Sequence, residues 1–182
     1  MHSIEKKYLK NYIPSVNGKI KKDFNLSKLT WFKVGGRAEV FFIPKDKEDL
    51  INFLKKLDKD APLKILGAGS NTLVRDGGIR GVTISLVKSF TEISYLKNQK
   101  VSAGAGVNCI KLSRECASKS LKGLEFFSGI PGTVGGAIKM NAGAYGQETS
   151  DILEKVITVN RNGKVKEYNK KDLKMSYRKS SL

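Results

Sequence analysis

The stretch that most constrains this chain is Phe127–Gln147, FSGIPGTVGGAIKMNAGAYGQ, where Gly129, Gly132, Gly135, Gly136, Gly143 and Gly146 are interspersed with small Ala137, Ala142 and Ala144. Glycine has no Cβ, so it lets another atom approach the backbone closely and tolerates φ > 0. A segment this poor in large side chains builds little core of its own. Its N–H groups are better suited to donate to something flat and anionic. Ile130-Pro131-Gly132 reads as a turn, since proline fixes φ and glycine accepts the strained position after it. An isolated glycine cluster is more often a plain hairpin loop. A second glycine loop upstream shifts that balance, because the two can grip one ligand.

That upstream loop is Leu66-Gly67-Ala68-Gly69-Ser70-Asn71-Thr72-Leu73, directly after Leu63–Leu66, which reads as a short buried strand. Gly67-x-Gly69 invites a dinucleotide fingerprint, but Thr72 stands where the third glycine belongs. Asp76-Gly77-Gly78 and Arg80-Gly81 follow as turn signals where that fingerprint requires a helix. The dinucleotide fingerprint is therefore rejected. A nest of amides flanked by Ser70, Asn71 and Thr72 can still hold a pyrophosphate without a helix. Gly104-Ala105-Gly106 is better read as a tight strand-to-helix turn.

Around these loops the pattern mixes strands and helices. Residues 1–22 read as a loose basic lead-in with a short helix at Ile4–Tyr12. Ala38–Ile43 is a strand closed by Pro44, and Lys45–Glu48 opens a helix with an apolar face of Leu50, Ile51, Phe53, Leu54 and Leu57. With Leu63–Leu66 this makes a β-α-β unit. Gly81–Leu86 alternates as a strand, and Ile93–Leu96 with Lys100–Ala103 forms a hairpin around Asn98. A helix spans Asn108–Lys119, N-capped by Asn108, with Cys109, Ile110, Leu112, Cys116 and Ala117 on its apolar face. Val156–Val159, the turn Asn162-Gly163 and Lys164–Tyr168 form a second hairpin. The expected organisation is a lead-in at 1–24 and two subdomains at 25–74 and 75–182.

Composition narrows the function classes. The net charge of +17 and pI near 9.9 favour an anionic partner, whether nucleic acid, nucleotide or sugar phosphate. Lysine-heavy usage across a whole proteome would give the same figure. The lysines are scattered and no aromatic-basic motif appears, so nucleic acid is not expected. No apolar run approaches the roughly 20 residues that span a bilayer. The charged N-terminus has no apolar core of a signal peptide, and a cytoplasmic, non-membrane protein is expected. Cys109 and Cys116, two helical turns apart, read as buried thiols in a reducing compartment. The single histidine, His2, leaves little scope for a histidine base or a histidine-containing zinc site, so no metal is expected. Any chemistry is expected to come from a cofactor.

Together the motifs are similar to one family. They are Leu29-Thr30-Trp31-Phe32-Lys33-Val34-Gly35-Gly36-Arg37-Ala38, then Gly67–Leu73, then Gly123-Leu124-Glu125-Phe126 with Ser128–Gly136, then Met140–Gly146, and last Tyr177-Arg178-Lys179-Ser180. In this order they resemble the UDP-N-acetylenolpyruvoylglucosamine reductases (UDP-N-acetylmuramate dehydrogenases) of bacterial cell-wall synthesis. The resemblance implies an α+β fold of the FAD-binding p-cresol methylhydroxylase / vanillyl-alcohol oxidase type, two subdomains with FAD between them. It implies that Gly67, Ala68, Gly69, Ser70, Asn71, Thr72 and Leu73 take the FAD pyrophosphate. Ser128, Gly129, Ile130, Pro131, Gly132, Thr133, Gly135, Gly136, Asn141, Ala142, Gly143, Tyr145 and Gly146 would wrap the ribityl chain and ring. Neither loop contains histidine, so the FAD is expected to be non-covalent.

In that family NADPH reduces the flavin, which then delivers hydride to the enolpyruvyl group of the UDP-sugar. Arg178 matches the family's catalytic arginine, beside Tyr177 in the substrate site. A guanidinium stays charged and grips a carboxylate through two parallel bonds. The family's proton-donating serine and a second acid lie in a third, substrate-binding domain whose motifs this sequence lacks. Ser180 and Ser181 sit in the wrong motif to replace that serine. The chain is therefore expected to be the FAD-binding half, with weak or absent turnover alone. The alternatives are an FAD-binding fragment without turnover and a basic nucleic-acid-binding module.

Overall fold

The computed structural model describes residues 13–182, which form two compact units. The helix expected at Ile4–Tyr12 lies outside the described residues. The first unit holds the described residues through Leu66, with Thr72–Ser85 and Val159–Val165. Its elements are β1 (Lys19–Asn25), β2 (Arg37–Ile43), α1 (Lys47–Lys56), β3 (Leu63–Leu66) and β4 (Ile79–Ser85).

These strands form one sheet in the order β1-β2-β4-β3, with β1 antiparallel to β2 and both β2 and β3 parallel to β4. The β-α-β pattern is present in sequence, yet β4 lies between its two strands. The side chains explain why. Val82, Thr83 and Ile84 of β4 are each 0% exposed, as a strand covered on both faces requires. β3 is not the buried strand expected: it lies at the sheet edge, where Ile65 is 62% exposed.

Residues 19–22 are not a loose lead-in, because they belong to β1. Their lysines hide the strand pattern and suit an exposed edge, where charge discourages further pairing. Phe24 stacks on Phe41 across the β1–β2 pair with ring centroids 4.6 Å apart.

α1 is capped by Asp46, whose side chain accepts from the Asp49 amide at 2.9 Å. Its buried face is Leu50, Phe53, Leu54 and Leu57, and Phe53 packs 4.2 Å from Phe42, centroid to centroid. Asp49 is also buried. Its carboxylate accepts from the amides of Asn17 (2.8 Å), Gly18 (2.9 Å) and Lys45 (2.9 Å), so the segment before β1 and the turn before α1 are tied to one charge. In the 159–165 segment, Arg161 donates to the carbonyls of Asp58 and Ala61.

The second unit holds Gly67–Asn71, Leu86–Thr158 and Lys166–Leu182. Its elements are β5 (Ile93–Leu96), β6 (Lys100–Ala103), α2 (Cys109–Ser118), α3 (Val134–Met140), β7 (Gly143–Ala144), β8 (Gln147–Glu148) and α4 (Thr149–Ile152). β9 (Lys155–Val159) pairs with β10 (Val165–Asn169). The β5–β6 hairpin turns through Asn98 and Gln99, at φ 59° and 56°. Asn108 caps α2 by accepting from the Lys111 amide at 3.0 Å. The buried face of α2 is Cys109, Leu112, Ser113 and Cys116, the i, i+3, i+4, i+7 set. Ala117, expected on that face, is exposed one step round the helix. Phe126, Phe127, Val134, Ala137 and Ala142 complete this core.

α3 runs through a stretch that reads as a loop, with Gly135 and Gly136 in its first turn. Packing overrides propensity there. Val134 and Ala137 are buried, and the Val134 and Gly135 amides donate to the carbonyls of Val107 (2.9 Å) and Ala105 (3.0 Å). Thr133 caps the helix by accepting from the Gly136 amide at 3.3 Å. Beyond the helix Asn141 turns left-handed, at φ 43°, and the Ala142 amide reaches back to the Ala137 carbonyl at 2.8 Å. That pair of features is the Schellman closure. Gly132 is not in the left-handed region, contrary to the expected turn, although its amide does bond the Ile130 carbonyl at 2.9 Å.

Two predictions follow from these cores. Asp49→Ala leaves three amides without an acceptor, and is expected to lower the unfolding free energy in urea by about 3 kcal/mol. Burial pushes the Cys109 thiol up to about 12 from its usual 9. The folded chain thus keeps a proton that the unfolded thiol loses, and this contribution to stability is full below pH 9 and lost on approaching pH 12. The urea midpoint should therefore fall more steeply between pH 9 and 12 for the wild type than for Cys109→Ala. Parallel slopes would show that burial does not withhold this thiol from titration.

Candidate functional site

The two glycine segments meet within the second unit. A Cβ placed on Gly67 would lie 2.9 Å from the Thr133 hydroxyl oxygen, and one on Gly132 would lie 3.6 Å from the Ser70 hydroxyl oxygen. Gly69 bends the upstream loop at φ 73°, beside Ala68 and Asn71. No backbone carbonyl among the described residues takes up an amide between Gly67 and Thr72. Loop amides that bond no backbone carbonyl thus lie next to Thr133, the kind of donor that a pyrophosphate needs. Thr72 and Leu73 are grouped with the first unit, where Thr72 borders an open cavity with Lys64, Arg80 and the buried Thr83. Leu73 is exposed.

The downstream segment divides by role. Ser128 and Gly129, both exposed, close a 3-10 turn (Glu125–Gly129) whose Phe126 and Phe127 are buried, and Ile130 and Pro131 follow. The Tyr145 ring lies against Gly129, where a Cβ would sit 2.7 Å from Tyr145 Cε2. Tyr145 and Gly146 form the left-handed turn between β7 and β8, at φ 54° and 80°. Gly135 packs on Ala105 and Gly136 sits in the first turn of α3. Asn141 and Ala142 are buried.

Arg178 and Tyr177 share a cleft of about 490 Å³ with Asn141, Gly143, Ala144 and Gly146. Arg178 has φ 54°, in a turn closed by reciprocal 3.0 Å backbone bonds between Ser176 and Lys179. Its guanidinium lies 5.9 Å from the exposed Tyr177 ring. The Ser180 hydroxyl is engaged, donating to the Lys139 carbonyl at 2.9 Å.

Gln147, Glu148 and Asp151 line the same cleft and were not singled out by the sequence. The spacing Glu148-x-x-Asp151 is the one available signal, and it reads as a helix start. The Glu148 amide does donate to Asp151 Oδ2 at 2.8 Å. Hydrogen bonds from Ser150, and then from Asn141, hold the Glu148 carboxyl below its usual range. The cleft therefore presents a guanidinium and two carboxylates side by side. Among the described residues, no group of three or more His, Cys, Asp or Glu could hold a metal ion, and no helix is long and apolar enough to cross a membrane.

Comparison with known proteins gives this geometry its class. Residues 38–169 match the FAD binding domain family, and the chain belongs to it. It has the α+β fold of the p-cresol methylhydroxylase / vanillyl-alcohol oxidase type, and FAD is the cofactor that this domain takes. The chain is 51% identical over 169 residues to UDP-N-acetylenolpyruvoylglucosamine reductase of Orientia tsutsugamushi (strain Boryong), covering 91% of this chain and 56% of that protein. The crystal structure of UDP-N-acetylenolpyruvylglucosamine reductase from Thermus caldophilus superimposes with a TM-score of 0.75 at 33% identity, over 91% of this chain and 57% of that one. The structure of 6-hydroxy-D-nicotine oxidase from Arthrobacter nicotinovorans shares the fold alone, with a TM-score of 0.63 at 16% identity over 90% of this chain and 38% of that one. The chain spans just over half the length of the curated relative it matches.

The glycines differ in what they permit. A Cβ on Gly135 would lie 2.9 Å from Ala105 Cβ and 3.0 Å from its carbonyl oxygen, whereas one on Gly132 meets nothing closer than 3.6 Å. Gly135→Ala is expected to lower stability by about 2 kcal/mol, as overpacking does. Gly132→Ala should stay within about 0.5 kcal/mol of the wild type. Equal urea midpoints for the two variants would contradict this placement of α3.

Proposed function

We propose that the chain is the flavin-bearing part of an NADPH-dependent UDP-N-acetylenolpyruvoylglucosamine reductase, holding FAD non-covalently on its two glycine segments. The observation that carries this reading is the meeting of Gly67 and Ser70 with Thr133 and Gly132, beside amides that bond no backbone carbonyl among the described residues. The residues fit a dinucleotide there, with backbone donors for its phosphates beside the Ser70 and Thr133 hydroxyls.

In this reading the amides of Gly67–Leu73 hold the pyrophosphate. Ser128, Gly129, Ile130, Pro131, Gly132, Thr133, Gly135 and Gly136 line the path of the ribityl chain and ring. Ala142, Gly143, Tyr145 and Gly146 extend that path, and Asn141 joins it through its backbone. Bound FAD supplies hydride transfer, with NADPH as the source of reducing equivalents and the enolpyruvyl double bond as acceptor. Arg178 binds the carboxylate of the enolpyruvyl group and stabilises the charge that develops there, with Tyr177 beside it. A guanidinium suits this role because it stays protonated and presents two parallel donors. The relatives' names, and the order of motifs ending in Tyr177-Arg178, support this choice of substrate.

Titration of the purified chain with FAD tests the reading. The chain is expected to quench flavin fluorescence and to show a flavin absorbance band that NADPH bleaches, without sustained turnover by this chain alone. Gly132→Ala puts a methyl group 3.6 Å from the Ser70 hydroxyl oxygen of the upstream loop, and should weaken FAD affinity about tenfold, the scale of one lost hydrogen bond to a charged group, while stability is kept. A chain that stays colourless with FAD in excess would overturn the proposal.

A further inference from the structure

We propose that Asn141 is a positioning residue for Arg178, holding the Arg178 turn in a conformation the turn would not keep unaided. The role rests on the proposed function of Arg178 for its purpose, but not for its evidence. Arg178 occupies the third position of the Ser176–Lys179 turn at φ 54°, where glycine is the residue that fits without strain. A non-glycine residue persists there only when its surroundings over-determine it.

Two tethers supply that restraint, and both come from the C-terminal end of α3. Asn141 Nδ2 donates to the Ser176 carbonyl at 3.2 Å, fixing the start of the turn. The Ser180 hydroxyl donates to the Lys139 carbonyl at 2.9 Å, fixing its end. Asn141 Oδ1 is engaged as well, accepting from the Ser150 amide at 2.9 Å, so its side chain joins α3, α4 and the turn. The residue is 2% exposed, so its side-chain amide is held by these protein partners rather than free in solvent.

The identity of residue 141 points the same way. It sits at φ 43°, ψ 53° in the closure of α3, a position that glycine fills more readily than asparagine. The backbone alone would be served by glycine. The side-chain bonds to Ser176, Ser150 and Glu148 are what asparagine adds.

Hydrogen exchange of the amides in residues 174–182 tests the proposal in the FAD-treated chain. Asn141→Asp keeps the acceptor for Ser150 but removes the donor to Ser176 and the bond to Glu148, the latter a loss that an Arg178→Gly background shares. It should speed exchange at Lys179 about tenfold, the scale of one lost hydrogen bond. Glycine at 178 adopts φ 54° without restraint. In an Arg178→Gly background the same change should therefore alter exchange by no more than about twofold, a coupling that a purely structural role for Asn141 would not produce. Acceleration of equal size in both backgrounds, or none in either, would overturn the proposal. Should Asn141→Asp fail to fold, Ser180→Ala cuts the other tether and is judged by the same comparison. FAD affinity read on the same samples separates the two ideas. A wild type that takes up no FAD defeats the proposed function while the exchange comparison still decides. A loss of affinity on Asn141→Asp matching the loss of protection would put the side chain in the cofactor site and overturn the positioning role.

Discussion

Thr133 is where the second unit is held together without side-chain bulk. Its backbone bridges to Asn108, its hydroxyl caps α3 through the Gly136 amide, and the same oxygen lies against Gly67. Gly67 has to be small because the hydroxyl occupies the room a Cβ would need, 2.9 Å away. One step along, Gly135 presses on Ala105, so α3 is located by backbone touching backbone. Packed interiors give way by only fractions of an ångström before the contact is lost. The glycines of the central stretch are therefore structural first, and the unused loop amides are a consequence of how they pack.

The elements visible in sequence are those whose signals are local. The β5–β6 hairpin matches residue for residue, because a polar turn between two short alternating runs determines its register. α1 and α2 keep their expected caps or apolar faces for a similar reason. Three features depend on partners far along the chain and could not be read. β1 carries its strand character under lysines that suit an edge. β4 inserts between β2 and β3, which no local pattern encodes. α3 forms despite two glycines in its first turn, since Ala105, Val107 and Thr133 supply the bonds that propensity withholds.

The site was legible to a different degree. Five motifs in a fixed order were enough to identify the family and the FAD-type fold, and the four that carry glycines mark places where backbone must stay bare. What the order of motifs does not convey is direction. Asn141 belongs to a glycine-rich run, yet its side chain turns inward and is fully engaged by protein. Glu148 and Asp151 look like a helix start, and they are one, but they also face the cleft that holds Arg178. A capping pair and a cleft-lining pair have the same sequence signature, so only the fold separates them.

Three non-glycine residues in left-handed conformation lie at or beside that cleft, namely Asn141, Tyr145 and Arg178. Left-handed backbone disfavours an L-residue by about 1–2 kcal/mol relative to its ordinary region. Glycine would remove that strain at each position, in a stretch where glycine is otherwise abundant. The side chains must then supply something that bare backbone cannot. For Asn141 this is the set of hydrogen bonds to Ser176, Ser150 and Glu148. For Tyr145 it is a ring laid on Gly129, and for Arg178 a permanent cation held beside an exposed aromatic ring. The bare glycines and the strained side chains thus divide the work: the first group lets atoms come close, and the second decides which groups meet them.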